Sequence, residues 1–279
     1  GRRPPDHPRS TTFDNSSPWV DEAGSAAVDV AMTVIEREPT RARRVEVDAG
    51  GQTIRQVHTQ RLNADLSAHA DVVTAAASPL LANAGLSSRG FTLVGRGFVL
   101  EPHEARRLLA ADTRHAEVVR PYMNGKDLSA RPRGVYVIDF GMRSESEARE
   151  YPALFDLVRD RVKPQRVANA REAYRRYWWR FGEPRVTLRK ALEGLDRFVA
   201  TSYVSKHRFF TFLDGRIAPD EPLVAIALAE PYALGILSSR IHIEWALAAG
   251  GTLEDRPRYN NSLCFDPFPF PDPPPELRQ

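Results

Sequence analysis

The order of hydrophobic and polar positions predicts a chain that mixes strands and helices. Apolar runs rich in β-branched residues, and runs that alternate apolar and polar positions, are typical of strands. Asn124-Gly125 and Asp214-Gly215 predict turns. The strand-like runs are a strand or short helix over 25–35, a hairpin of 45–47 and 54–57 about Gly50-Gly51, and strands over 95–100, 135–139, 198–204, 208–213 and 223–228.

Apolar residues three and four positions apart predict the helices. Ser144 and Glu147 form a capping-box pattern before a helix over 151–162, which Pro152 can restart. A second helix is predicted from about 164 to 181, with one apolar stripe made of Val167, Ala170, Tyr174, Tyr177, Trp178 and Phe181. Other helices are predicted over 101–111, 184–192 and 232–249. The fold class that follows is α/β in the mixed α+β sense.

Composition places the chain among ordinary globular proteins. Of its 279 residues, 42% are hydrophobic and 27% charged, which allows a substantial core. Residues 1–18, rich in Pro, Arg, Ser and Asp, predict a linker, and the start lacks both a Met and the apolar segment of a signal peptide. We therefore expect the interior of a longer chain. No run approaches eighteen apolar residues, so we expect no membrane span. The single cysteine, Cys264, excludes internal disulfides and suits a reducing compartment, so we expect a cytoplasmic protein.

Positive charge is concentrated in one part of the chain. The net charge is +3, yet residues 161–216 contain fourteen Arg or Lys and five Asp or Glu, a local balance of +9 against −6 elsewhere. Across the whole chain nearly all basic residues are arginines, whose planar forks suit phosphates and guanine edges. A GC-rich genome would also favour Arg over Lys, but it explains the clustering less well.

Patterns that would indicate catalysis are incomplete. Gly95-Arg96-Gly97 precedes a strand-like run, whereas a nucleotide-binding glycine loop precedes a helix. Asp272-Pro273-Pro274 lacks the aromatic residue that would stack on a flipped base. Ser238, Ser239 and His242 fit capping and packing roles better than a nucleophile and base. No histidine pair has the spacing of a helical metal site. We therefore predict no catalytic, cofactor-binding or metal-binding residue in this chain.

Nucleic-acid binding is the chemistry that the sequence favours. It needs cations for phosphates, forked donors for base edges and planar groups that stack. A solvated basic face over an aromatic core is the structural alternative, and it is favoured for Tyr174, Tyr177 and Trp178. A second basic stretch, between two predicted strands, could enter a groove. The predicted DNA-binding residues are Lys163, Arg166, Arg171, Arg175, Arg176, Arg180, Arg185, Arg189, Lys190, Lys206, His207 and Arg208.

The chain resembles the C-terminal part of the type IIL (MmeI-like) restriction–modification enzymes. The resemblance covers residues 90–271 most clearly and 19–90 more loosely. The segments that carry it include Tyr136-Val-Ile-Asp139-Phe-Gly141, Val162-Lys-Pro-Gln-Arg166, Tyr177-Trp-Trp179, Val204-Ser-Lys-His-Arg208, Gly235-Ile-Leu-Ser-Ser239-Arg-Ile-His242, Arg258-Tyr259 and Cys264-Phe-Asp-Pro-Phe-Pro-Phe-Pro271.

The resemblance implies a specificity module of an adenine-N6 DNA methyltransferase. It implies a DNA target-recognition domain at 19–218 and a C-terminal helical region with a Pro-rich tail at 219–279. The partners would be double-stranded DNA and a methyltransferase core, in the same polypeptide or in a partner subunit, and no membrane. S-adenosylmethionine is expected in the parent enzyme and no cofactor in this chain, which is not expected to be catalytic alone. The Phe-Pro-Phe-Pro end would pack as a strap.

Two other functions remain open from the sequence. One is a stand-alone nucleic-acid-binding regulator without a methyltransferase partner, and the other is an enzyme whose site the motifs do not reveal. An Asn-Pro-Pro-aromatic motif upstream of Gly1 would favour the methyltransferase, whereas an independent start codon would favour the regulator.

Overall fold

The structure is a computed structural model. It describes residues 10–20, 27–35, 42–47, 52–59 and 78–272 apart from 254–255, with the single positions 62, 72, 76, 274 and 276, and it describes side chains from residue 42 onwards. The chain divides into two compact units, Gly1–Ala75 and Ala76–Gln279. This division differs from the predicted borders after 18 and 218. The functional assignment of 19–218 and 219–279 stays a prediction.

The described part of the first unit is a four-stranded sheet in the order β2-β1-β3-β4. Its strands are β1 (Ser10–Val20), β2 (Ala27–Ile35), β3 (Ala42–Val47) and β4 (Thr53–Thr59). β1 pairs antiparallel with β2 and parallel with β3, and β3 pairs antiparallel with β4. The antiparallel pairing of β3 with β4 confirms the hairpin strands, while the turn about Gly50-Gly51 lies outside the described residues. Of the segment 25–35, the described residues 27–35 form a strand. The linker prediction is wrong for residues 10–18, because they lie in β1, while residues 1–9 lie outside the described residues.

The second unit contains two four-stranded sheets. One has the order β10-β9-β12-β5, is antiparallel throughout, and consists of β5 (Ser87–Arg89), β9 (Arg197–Ser202), β10 (Thr211–Asp214) and β12 (Leu223–Ile226). The other has the order β11-β7-β8-β6 and consists of β6 (Val99–Leu100), β7 (Val119–Met123), β8 (Tyr136–Ile138) and β11 (Ala218–Pro219). A two-stranded ribbon joins β13 (Thr252–Leu253) and β14 (Arg256–Pro257).

Ten helices are described in this unit. They are α1 (Pro102–Ala111), α2 (Gly125–Ser129), α3 (Glu145–Arg149), α4 (Pro152–Arg161), α5 (Lys163–Val167), α6 (Glu172–Arg176), α7 (Val186–Leu192), α8 (Pro231–Leu237), α9 (Arg240–Gly250) and α10 (Asn261–Cys264). The predicted mixed α/β class is therefore confirmed. Within the described residues, no helix is long and apolar enough to span a membrane.

The first sheet of the second unit is buried on both faces. Successive strand residues point to opposite faces, so Phe198 and Ala200 of β9 enter a large core shared with α4 and α7. Val199 enters a second core with α9 and the C-terminal end. Leu223 and Val224 of β12 divide between the two cores in the same way. The continuous apolar runs that predicted these strands follow from this double burial.

The predicted helix over 164–181 is wrong, because the chain forms two short helices there and then an irregular turn. The side chain of Asn169 accepts a hydrogen bond from the Arg171 backbone NH at 2.9 Å. Asn favours such local bonds over helical ones, which explains a break between α5 and α6. Within the predicted stripe, Tyr174 and Trp178 are buried, while Val167 is 60% exposed.

Two further predictions are corrected by local capping, and a third by a short 3-10 turn. The predicted helix over 232–249 is two helices, because Ser239 caps α9 by accepting the His242 backbone NH. Asn124 is not a turn residue but the cap of α2, in a capping box with Asp127. The predicted strand over 95–100 is a 3-10 turn at Arg96–Phe98, followed by the two-residue β6.

Candidate nucleic-acid interface

The basic segment from Lys163 to Lys190 is fixed to the core by its aromatic residues. Trp178 packs against Phe155, with ring centroids 5.1 Å apart, and Phe181 meets Phe98 edge to face at 5.2 Å. The Trp179 indole NH donates to the Arg143 carbonyl at 3.0 Å. Since these rings are nearly inaccessible to solvent, the backbone that presents the arginines has a defined position.

Arg166 is a structural residue, so its prediction as a DNA contact is wrong. Its side chain is 1% exposed. Its guanidinium donates to the carbonyls of Leu93 at 2.6 Å, Val94 at 2.8 Å and Arg180 at 3.2 Å. Burial lowers the pKa of Arg166. These bonds join the loop that contains Val94, where φ is +51°, to the aromatic segment.

Arg189 is also engaged inside the protein. Its guanidinium forms a two-bond pair with Asp139, both bonds at 2.8 Å, and lies 4.2 Å from the centroid of the Phe91 ring. Arg120 contacts the same carboxylate at 3.4 Å. The pairing anchors α7 to β8, and it neutralises the charge that a phosphate would need. The structure therefore does not support the phosphate contact that the sequence predicted for Arg189.

A subset of the predicted cations is exposed and has no carboxylate partner among the residues that the structure describes. Arg175 instead donates to the carbonyls of Asn169 and Ala170. Arg171 differs, because it lies 3.5 Å from Glu183 and donates to the Tyr174 hydroxyl. The unpaired exposed cations of this segment, called the free cations below, are Lys163, Arg175, Arg176 and Lys190.

Tyr177 is a surface residue, contrary to its prediction as a core residue. It is 37% exposed, and the guanidinium carbons of Arg176 and Arg180 lie 5.5 and 4.8 Å from its ring centroid. Arg180 is half-buried and donates to the Arg143 carbonyl at 2.9 Å. Arg185, also half-buried, adopts a left-handed backbone with φ of +48° before α7. Tyr177 orients two arginines through ring contacts.

The second basic stretch is the loop between β9 and β10. Lys206 and His207 are exposed at its tip. The Ser205 hydroxyl donates to the His207 carbonyl at 2.7 Å, and the Ser205 backbone NH donates to the Pro257 carbonyl at 3.2 Å. Arg208 turns inward and donates to the Pro257 carbonyl at 3.0 Å, and burial lowers its pKa. The structure separates two exposed tip residues from one internal arginine.

A cleft of about 710 Å³ lies beside the basic segment. Its lining includes Arg120, Arg189, Lys190 and Arg216. Arg216, which lies in the turn after β10, is 82% exposed at its side chain and forms a two-bond pair with Asp214. This pair lowers the pKa of Asp214 to about 2. Sequence patterns did not place Arg120 or Arg216 beside Arg189, because they come from separate strands and turns.

His242 and Tyr259 form a buried polar pair beneath the loop between β9 and β10, which is called the tip loop below. The His242 Nε2 atom and the Tyr259 hydroxyl are hydrogen bonded at 2.9 Å. Burial lowers the pKa of His242 to about 4 and raises that of Tyr259. Across the described residues, no cluster of His, Cys, Asp and Glu could bind a metal ion. His242 is thus packed in the interior, which agrees with the packing role predicted for it.

Comparisons with known proteins identify the same class that the resemblance implied. A family model described as "MmeI, target recognition domain" matches residues 67–272. DNA methyltransferase A of Bacillus subtilis (strain 168) is 48% identical over 44 residues, which are 16% of this chain and 5% of that protein.

A solved structure of the type IIL restriction–modification enzyme MmeI in complex with DNA has a similar fold. The TM-score is 0.69 at 17% sequence identity, and the match covers 96% of this chain and 36% of that one. This chain therefore spans about a third of the length of that protein, and a much smaller share of the curated relative. By the match over residues 67–272, the chain belongs to the MmeI target recognition domain family.

Proposed function

We propose that this chain reads a short duplex DNA sequence on behalf of an adenine-N6 DNA methyltransferase. The catalytic core, with its S-adenosylmethionine site, would lie in the same polypeptide or in a partner subunit, and the parent enzyme would act in the cytoplasm. Membership of the family supports the recognition role. The chain would position the duplex so that one adenine can leave the stack and enter the distant active site.

The observation that carries the proposal is the division between compensated and free cations. Arg166 and Arg189 are bonded inside the protein, whereas Lys163, Arg175 and Arg176 remain exposed without a carboxylate partner among the described residues. Cations that are already solvated and unpaired can neutralise phosphates without first breaking an ion pair. The free cations would thus bind the phosphates of the DNA backbone.

Base recognition is proposed for a different surface. Lys206 and His207 are exposed at a loop tip, and both can donate hydrogen bonds to base edges in the major groove. Arg208, predicted with them, is bonded to the C-terminal segment instead. Phosphate contacts fix position and carry no sequence information, so the two surfaces would have separate roles.

A salt titration tests the proposal. The variant Lys163→Ala/Arg175→Ala/Arg176→Ala should reduce the slope of log K against log salt by about 3, since each phosphate contact contributes about 0.9. The matched control, Arg106→Ala/Arg149→Ala/Arg159→Ala, removes three exposed arginines that are not among the free cations, two of them already paired with carboxylates, and should change the slope by less than about 1. Fluorescence anisotropy with a labelled duplex at several salt concentrations measures both.

Two results would contradict the proposal. One is the absence of duplex binding by the unmodified chain at low salt. The other is an equal loss of slope in both triple variants, which would mean that charge anywhere on the surface suffices.

A further inference from the structure

The limb of the tip loop that leaves β9 is bonded to a neighbouring segment of the chain. Val204 forms an isolated bridge with Arg258, and the Ser205 backbone NH donates to the Pro257 carbonyl at 3.2 Å. The Tyr259 backbone NH donates to the Tyr203 carbonyl at 2.7 Å. The limb that leaves β9 therefore lies along residues 257–259, and only the tip side chains of the loop extend into solvent.

The guanidinium of Arg208 connects three parts of the protein at the base of this loop. One terminal nitrogen donates to the Thr201 hydroxyl at 3.0 Å and to the Ser202 carbonyl, both in β9. The other donates to the Pro257 carbonyl at 3.0 Å. A planar fork with several fixed donors can span these acceptors, whereas a lysine ammonium is a single point. The geometry is specific to arginine.

Tyr259 supports the guanidinium from below. The Arg208 carbon lies 5.3 Å from the Tyr259 ring centroid, and Tyr259 is fully buried. Phe210 meets the same ring edge to face at 5.3 Å, and the Tyr259 hydroxyl is bonded to His242 of α9. The position of Arg208, and with it that of the loop, is thus set by the C-terminal region.

We propose that Arg208 and Tyr259 are positioning residues that set the orientation of Lys206 and His207, so that residues 256–259 help to determine which DNA sequence is read. The proposal rests on the proposed function. Because both terminal nitrogens of Arg208 are bonded to protein atoms, a direct base contact by this residue would first require the base of the loop to come apart.

Selection from a pool of random duplexes, followed by sequencing, measures which positions the full chain reads. Lys206→Ala and His207→Ala define the positions that depend on the tip. Arg208→Lys retains the charge but not the fork, and Tyr259→Leu removes a ring that cannot touch DNA. Each should reduce discrimination about tenfold at those same positions, a mismatch typically changing specific affinity by that factor or more. Binding to a random duplex should change by less than about twofold.

The control is Tyr259→Phe, which keeps the ring under Arg208 and removes only the bond to His242. It should leave the selected motif unchanged. Thermal unfolding of each variant shows whether it is folded at the assay temperature. If Tyr259→Leu is not, Arg208→Lys decides the question alone.

The outcomes separate the competing explanations. Loss of discrimination at the tip positions in Arg208→Lys supports positioning. If Arg208→Lys changes discrimination at a position that does not depend on the tip, Arg208 itself reads a base. If the motif is unchanged and the melting temperature falls, the role of Arg208 is only structural. Either result overturns the proposal. If the unmodified chain binds duplexes but enriches no sequence, the proposed function itself fails.

Discussion

Arginines of one basic segment, residues 163–190, have different roles in this chain. Arg166 binds three carbonyls in the core, Arg189 pairs with Asp139, and Arg175 and Arg176 face solvent. Charge counting predicted a basic segment but could not distinguish these roles, because it does not show which side of a short helix meets the core. The aromatic neighbours held part of the missing information, since Trp178, Trp179 and Phe181 are themselves buried and fix the backbone beside these arginines.

At the same scale, His242 predicts a measurable dependence of stability on pH. Burial is the largest cause that lowers its pKa from 6.5 to about 4, and Arg208 adds to it. Below pH 6.5 the unfolded chain takes up a proton that the folded chain excludes, so the free energy of unfolding falls as the pH falls. Each pH unit in the window from 6.5 to 4 costs about 1.4 kcal/mol.

Urea unfolding at pH 7.5 and pH 5 tests this prediction. The unmodified chain should lose about 2 kcal/mol more than His242→Gln over that interval, because glutamine can bond Tyr259 without titrating. Comparison of the two proteins cancels the contribution of the other ionisable groups. Equal pH dependence in both would show that His242 keeps an ordinary pKa in the folded state.

Among the elements, the C-terminal strap, residues 265–271, is bonded to the buried side-chain amide of Asn83. The Asn83 side-chain nitrogen lies 3.1 Å from the carbonyl oxygens of Phe265 and Asp266 and 2.8 Å from that of Phe268. Asn83→Ala should reduce the free energy of unfolding by about 1–3 kcal/mol, since the buried Phe268 carbonyl loses the donor that this side chain supplies. Asn83→Asp should do at least as much, because a carboxylate has the same shape but cannot donate.

The matched control for the strap is Leu81→Ala. Leu81 lies two residues before Asn83 and is 94% exposed, so its replacement should change stability by less than about 0.5 kcal/mol. Thermal and urea unfolding of the three variants measures the difference. Similar stabilities for Asn83→Ala and Leu81→Ala would mean that the strap does not depend on the Asn83 amide.

Elements with local signals were predicted well. Pro102 begins α1, and Ser144 and Glu147 form the capping box of α3 in the structure as in the sequence. These features involve residues within three or four positions, so the sequence contains all of the relevant physics. The helix over 184–192 and the strand over 135–139 were confirmed for the same reason.

Long apolar periodicities gave the wrong lengths. The predicted helix over 164–181 ignored Asn169, and the one over 232–249 ignored Ser239, although each polar side chain bonds to nearby backbone. Periodicity averages over a window and gives little weight to one capping residue. The cleft beside α7 was beyond prediction, because Arg120, Arg189 and Arg216 meet only through tertiary packing.

At the scale of the whole molecule, the proposed DNA contacts all belong to the second compact unit. The free cations and the tip loop lie between residues 163 and 207, well inside Ala76–Gln279. The described cations of the first unit are Arg43, Arg44 and Arg55 in the sheet, and Arg44 is paired with Glu46 at 2.8 Å. The excess positive charge of +9 over residues 161–216 thus lies entirely within one unit of the fold.

This distribution predicts that residues 76–279 fold and bind DNA without residues 1–75. The second unit contains every residue of both described hydrophobic cores, so the fragment should unfold cooperatively. Its slope of log K against log salt for a random duplex should lie within about 1 of that of the full chain, because the phosphate contacts are retained. Calorimetry and anisotropy titrations measure the two properties. A cooperatively folded fragment whose slope falls by 2 or more would place phosphate contacts on the β1–β4 sheet, and the DNA surface would then have to include Arg43, Arg44 or Arg55.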